Sequence, residues 1–556
     1  MCKTSRALEK DGLVNAPIQS LASMGTGGKF PNNEERDLHV WVKGAFGAHL
    51  IPWSVFLDAE HGEEVDPFPV KMSFIFVHEY LDSLWQAGQA RFKLGVLGPH
   101  DCTSLGLFWE HMQGLEGWES FRGVTDCSKL IPILFHFDGA QVHQGKEWHV
   151  WSWRTPLTVG TAVADCKHAY CAYPADFAHS KVFKDKMHQA VAKVLAWDLG
   201  IAEAGVFPSL NMWGKPWLEK HRLERAGKLM AGGFTAALWG VNADHKAKKE
   251  MHMFKRHHEC TLVCHQCMAQ KPGHEPGLSF WELGEDALWR STYIDHKAYC
   301  ATEGLSPWLQ IPHFTIDMMF TDLMHTVHLG FARDLLACAI RSWADWKLLP
   351  AASSTAKTLR MFWKMFCHWC RLNGKARPRG RLTPHNLSFG KQEYPELSSS
   401  CKAVTVSHML RFCTEFALAK PRNNPELGDV KVALWALNKT LELWSSSALQ
   451  LTEQVADKCF SLGNLFLDTY VSLAVKAQAQ DKLRWKVRPK HHYFVHLLEF
   501  QKRTRLNPCY ACSAFDDESF LGQFKRVGRM TRGSSNLCPR TLQRHIMGLK
   551  LRWNGK

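Results

Sequence analysis

Nowhere does this 556-residue chain carry a run of about eighteen apolar residues, so a membrane-spanning helix is not expected. Its first thirty residues lack an apolar core followed by a small-residue cleavage site, which argues against a secretory leader. The 18 cysteines form no compact even-numbered framework and are expected to be reduced thiols, as in cytosol or nucleus. Short repeats and low-complexity blocks are missing. So is H-E-x-x-H, which removes the zinc-protease helix from consideration. Residues 1 to about 50 read as a loose start without zinc-finger Cys/His spacing, so an N-terminal DNA-binding module of that kind is not expected.

With 46% hydrophobic residues and 23 tryptophans, the chain can bury large cores and is globular rather than disordered. Its length implies two to four domains. The formal charge of +15 points to a polyanionic partner, nucleic acid or an acidic membrane surface, with solvated lysine faces as the plainer alternative.

Taken in order, residues 71–92 place apolar side chains at mixed three and four spacings and predict one amphipathic helix; 104–121 predict another. Residues 129–142, KLIPILFHFDGAQV, form an apolar run that ends in Asp138 and Gly139. This reads as a buried strand whose carboxylate is either a turn cap or a metal ligand. Residues 147–158 alternate and predict a second strand, 181–199 a helix, and 233–244 a further strand ending in Asp244. Two carboxylates at the ends of neighbouring strands are what a two-metal phosphoryl-transfer site requires.

Cys260, Cys264 and Cys267, with His257 just before them, hold a C-x2-C at zinc spacing. They predict either a structural Zn²⁺ set or unliganded thiols. In the stretch 312–336, Asp317, Asp322, His325 and His328 lie close together. On a helix the last three share a face suited to metal or phosphate chemistry, or to buried hydrogen-bonded histidines. Residues 337–484 carry helical periodicity almost throughout. Their Pro/Gly-rich loop 374–384 concentrates Lys375, Arg377, Arg379 and Arg381, which either contact phosphates or are simply solvated. Near the end, Glu518 sits among Phe515, Phe520, Leu521 and Phe524 at helical spacing, where an acid also favours the helix dipole. Arg526, Arg529 and Arg532 follow, a basic run that can lie along DNA.

These pieces, in this order, resemble the DDE transposases of eukaryotic cut-and-paste elements, particularly the CACTA/Tnp2-like and KDZ-like groups. The matching stretches are HFDGAQV, GVNAD, CTLVCHQC, TDLMHTVHLGFARD, RPKHHYFVHL and DDESFLGQFKR, and the likeness covers roughly residues 125–550. It implies an α/β fold, an RNase H-like mixed-sheet catalytic core interrupted by a large helical insertion. The implied division is a mostly helical region 1–125, a first part of the core 126–256, the Cys/His knuckle and insertion 257–484, and the last part of the core with a basic tail 485–556. By the same likeness Asp138, Asp244 and Glu518 bind two Mg²⁺ or Mn²⁺ ions, and Asp322 and His325 support the site from the insertion. The implied partner is DNA and the implied working form a nuclear homo-oligomer on paired transposon ends. A non-catalytic nucleic-acid-binding or zinc-stabilised scaffold protein is the alternative.

Overall fold

The computed structural model describes residues 2–12, 16–30, 33–34, 36–38, 40–41, 52–57, 70–124, 126–143, 146–158, 160–175, 181–252, 254–302, 306–421, 425–531 and 537–554. The protein is mixed α/β, 58% helical, around one seven-stranded mixed sheet. The strands are β1 (Trp53–Leu57), β2 (Val70–Phe74), β3 (Leu130–His143), β4 (Lys146–Arg154), β5 (His168–Pro174), β6 (Thr235–Ala243) and β7 (Met319–Thr321), in the spatial order β1-β2-β5-β4-β3-β6-β7.

Residues 130–137 of β3 are buried on both faces, as are 236–243 of β6. Such two-sided burial explains why both sequences are continuous apolar runs rather than alternations. β3, β4 and β5 form an antiparallel meander, whereas β6 and β7 run parallel to β3. A parallel return needs a long crossover, and the helix Lys181–Ala204 supplies it between β5 and β6.

The single helix expected over 71–92 is corrected here. Residues 70–74 are β2, paired antiparallel with β1, and the helix begins only at Val77. Met72, Phe74 and Phe76 are all fully buried, an alternation of period two that competes with the helical spacing of Phe74, Val77 and Tyr80. The region before residue 125 therefore supplies two strands to the sheet and is not merely helical.

After β7 the chain leaves the sheet. The helices Ala332–Asp345, Thr355–Leu372, Ala403–Leu418, Pro425–Ser446 and Glu453–Ala479 occupy the stretch expected to be helical. The chain then returns through Pro489–Thr504, Phe515–Arg529 and Leu537–Asn554. Phe515–Arg529 lies against β3, and Leu537–Asn554 against β2 and β5. Among the described residues no helix is long and apolar enough to cross a membrane.

Candidate active site and metal centre

The register of β3 and β6 fixes the first two acids. His136 pairs with Asn242, so two residues further along these parallel strands Asp138 and Asp244 come out at the same level. Asp138 is partly buried, and one of its carboxylate oxygens accepts from the Gly139 amide at 2.6 Å. Asp244 stands just beyond β6, where its Oδ1 accepts from the Ala247 amide at 2.6 Å and caps the helix His245–His252. The exposed Glu518 arrives from the first turn of Phe515–Arg529.

Electrostatics tie the three together. Burial, then the charges of Asp244 and Glu518, push the Asp138 carboxyl up to about 8. Acids acting on one another in this way lie close in space. Their oxygens are nevertheless looser than a preformed cage: among the described residues, the two groups of three or more donors lying all within 4.8 Å lie elsewhere.

Three neighbouring strands hold the helix that carries Glu518. Asp517, fully buried, contacts the Lys167 ammonium and lies 3.6 Å from His136 Nδ1 on β3. Arg154 of β4 donates to the Tyr510 carbonyl at 2.8 Å and stands 3.8 Å from Asp516. At the far end, Gly528 packs so tightly that a Cβ would lie 2.4 Å from Val142 of β3. Arg529 donates there to the Val142 carbonyl at 3.2 Å.

Asp322 and His325 join the same neighbourhood. His325 Nδ1 lies 2.6 Å from Asp322 Oδ2, which also accepts from the His325 amide, and Asp322 Oδ1 accepts from the Ala514 amide at 2.8 Å. Asp322 thus links His325 to the residue that opens the Glu518 helix. Burial opposes protonation of His325, but the hydrogen bond and charge of Asp322, with Asp244 and Asp138 beyond, hold it up to about 9. The stretch is not the single α-helix expected from its spacing. β7 is followed by a π-helix, Met324–Phe331, and His328 turns away from the pair to meet the Phe515 ring at 5.0 Å. Asp317 also lies apart, 3.5 Å from Arg503.

A second site lies behind the first. Cys264, Cys267, His492 and His496 are all buried, with their donor atoms within 4.8 Å of one another. Cys264 Sγ and Cys267 Sγ lie 3.3 Å from His496 Nε2 and His492 Nε2 respectively, and the two Nε2 atoms are 3.0 Å apart. Burial opposes ionisation of the Cys264 thiol, yet the hydrogen bond from Cys267 and the adjacent imidazoles drive it well below its usual value. Glu499 stands 3.6 Å from His496 Nδ1, where a carboxylate orients a metal-bound histidine. Two sulfurs and two imidazoles with no further protein donor suit a closed tetrahedral ion.

This corrects the ligand set expected from sequence. Cys264 and Cys267 belong to the quartet, but Cys260 is outside it, and His257 forms a separate surface group with His258 and Glu259. The missed partners, His492 and His496, stand four apart on one helix face in RPKHHYFVHL. That H-x3-H spacing was the available signal, but 225 residues separate Cys267 from His492.

Of the basic residues singled out, Lys375, Arg377, Arg379 and Arg381 are exposed on their loop, as is Arg526 on the Glu518 helix. Arg526 lines a cavity of about 300 Å³ together with Arg544 and Arg552. Arg529 is exposed but engaged with Val142, and Arg532 lies outside the described residues. No known protein family matches the chain, and no curated protein does.

Proposed function

We propose that the chain is a metal-dependent DNA nuclease and strand transferase of the DDE transposase type, or a descendant of one. The observation that carries this reading is the meeting of Asp138, Asp244 and Glu518, distant in sequence, closely enough that two of them raise the third to about 8. The strand order supports it. Leaving out β1 and β2, the order β5-β4-β3-β6-β7, with three antiparallel strands followed by two parallel to the first, is the pattern expected of an RNase H-like core. The helices between β7 and Pro489 stand where the resemblance expects an insertion.

Three crowded carboxylates repel one another as bare acids and are relieved by divalent cations, and an all-oxygen donor set suits Mg²⁺ or Mn²⁺. Asp138, Asp244 and Glu518 would hold these ions. When bound, the ions supply an activated water or 3′-hydroxyl and neutralise charge at the leaving oxygen. His325, kept protonated by Asp322, places a positive charge beside the carboxylates, where a phosphodiester can be oriented. Lys167, His136 and Arg154 position Glu518 through Asp516 and Asp517. The basic loop 374–384 and Arg526 would bear on the DNA backbone, with salt-dependent affinity. In the Cys/His quartet we place a structural Zn²⁺. The resemblance further makes the working form a nuclear homo-oligomer on paired DNA ends.

The competing reading is a non-catalytic nucleic-acid-binding scaffold. It is favoured by the structural bonds that Asp138 makes to Gly139 and Asp244 to Ala247. Supercoiled plasmid incubated with the purified protein and Mn²⁺ decides between them. We expect nicking that Asp138→Asn abolishes while DNA binding persists. Nicking that survives the substitution would remove this site from the reaction, and absence of nicking in the native chain would favour the scaffold.

A further inference from the structure

A cavity of about 470 Å³ opens beside the acids, between the helices Ala403–Leu418 and Pro425–Ser446 and the segment leading into Phe515–Arg529. Its size falls in the roughly 300–1,000 Å³ range of sites that enclose a small ligand. Two walls come from the acidic cluster's own supports. Phe515 precedes Glu518 by three residues on one helix, and His328 follows His325 by three in the π-helix.

The lining has three chemical parts. Phe515 and Tyr510 supply aromatic faces, and Lys375 and Arg411 supply positive charge. Hydrogen-bonding groups make the third part. His328 is only 5% exposed, lines the cavity, and its Nδ1 has no hydrogen-bond partner. A buried polar atom left without a partner costs about 1–3 kcal/mol, so a ligand atom at that position is favoured. The two carboxylates on the wall are already engaged: Glu442 accepts from Asn438 at 2.9 Å and Lys439 at 3.4 Å, and Asp516 stands 3.8 Å from Arg154. Lys375, by contrast, makes no ion pair among the described residues.

Aromatic faces for stacking, hydrogen-bonding groups for a base edge and cations for phosphate are the three requirements of a single-stranded nucleic-acid site. A purely apolar ligand would leave the cations and His328 without purpose. We propose that this cavity holds one unpaired nucleotide of the DNA substrate, its base against Phe515 and Tyr510 and its phosphate toward Lys375 and Arg411. The proposal rests on the nuclease reading and adds to it a reason for the basic loop at 374–384. Lys375 reaches from that loop into a pocket one helical turn from Glu518. Stacking tolerates every base, so the pocket selects for an unpaired nucleotide rather than for sequence.

Three short probes test it by fluorescence anisotropy in buffer without added divalent ions: a blunt duplex, the same duplex with one extrahelical nucleotide, and that duplex with the extra residue abasic. We expect the extrahelical nucleotide to tighten binding about ten-fold, in line with roughly 1–3 kcal/mol per stacked base. The abasic probe should lose that gain. Lys375→Ala and Arg411→Ala, both at the surface and unlikely to disturb the core, should lose most of it together with little change toward the blunt duplex. Equal affinity for the blunt and extrahelical probes, or a gain that the abasic probe or the double variant keeps, overturns the pocket and leaves the nuclease reading standing. Failure to bind all three probes overturns both.

Discussion

At the scale of single residues, two buried ion pairs make opposite use of pH. His325 is held up to about 9 through Asp322, so its contribution to stability is complete below the ordinary histidine value of about 6.5 and is lost as pH rises through 9. Asp322→Asn in the metal-free protein should return His325 toward that ordinary value, read by an NMR titration of its ring; an unmoved midpoint would show that other acids hold the proton. Glu79 works the other way. Burial alone would raise it, but Arg222, through its charge and its hydrogen bonds at 2.8 and 2.9 Å, and then Arg225, carry it below the usual range. Its contribution is therefore complete above about 4.3 and fades as pH falls toward the folded-state value. Glu79→Gln leaves two arginines short of a partner and should cost about 3–5 kcal/mol at pH 7, and distinctly less near pH 4, in urea melts. An equal loss at both pH values would count against the pairing as its source.

At the scale of elements, the helix Phe515–Arg529 is the part on which the acidic cluster depends, because it alone brings Glu518 to β3. Gly528 sets its distance from the strand. Gly528→Val has no room beside Val142 and should destabilise the protein by about 1–3 kcal/mol. Because the displaced helix carries Glu518, plasmid nicking should fall by more than the unfolded fraction explains. Full specific activity in the folded variant would mean that Glu518 is not held through this contact. β3 and β6 were legible from sequence because two-sided burial writes an uninterrupted apolar run, and the terminal acids followed from it. β2 was not, since Phe74, Phe76 and Val77 satisfy a period of two and a period of 3.6 alike. The metal centre was half legible. A C-x2-C is read locally, and the search for its partners went to the nearest candidates, Cys260 and His257. Only a tertiary contact selects His492 and His496.

At the scale of the whole molecule, that quartet joins the loop after β6 to the helix Pro489–Thr504, closing off everything between. Closing so long a loop is entropically costly, which a bound ion offsets. Elemental analysis should find one Zn²⁺ per chain, lost in His492→Ala and kept in Cys260→Ser. Removing it with a strong chelator should lower the melting temperature by several degrees. Equal zinc in both variants would place the ion elsewhere. The same connection has a meaning during synthesis. A ribosome adding about 5–20 residues per second delivers Cys267 roughly ten to fifty seconds before His492. Throughout that interval the nascent chain carries paired thiols without imidazoles and two acids without Glu518. It must be kept reduced and shielded by cellular helpers, and it cannot damage DNA before it is nearly finished.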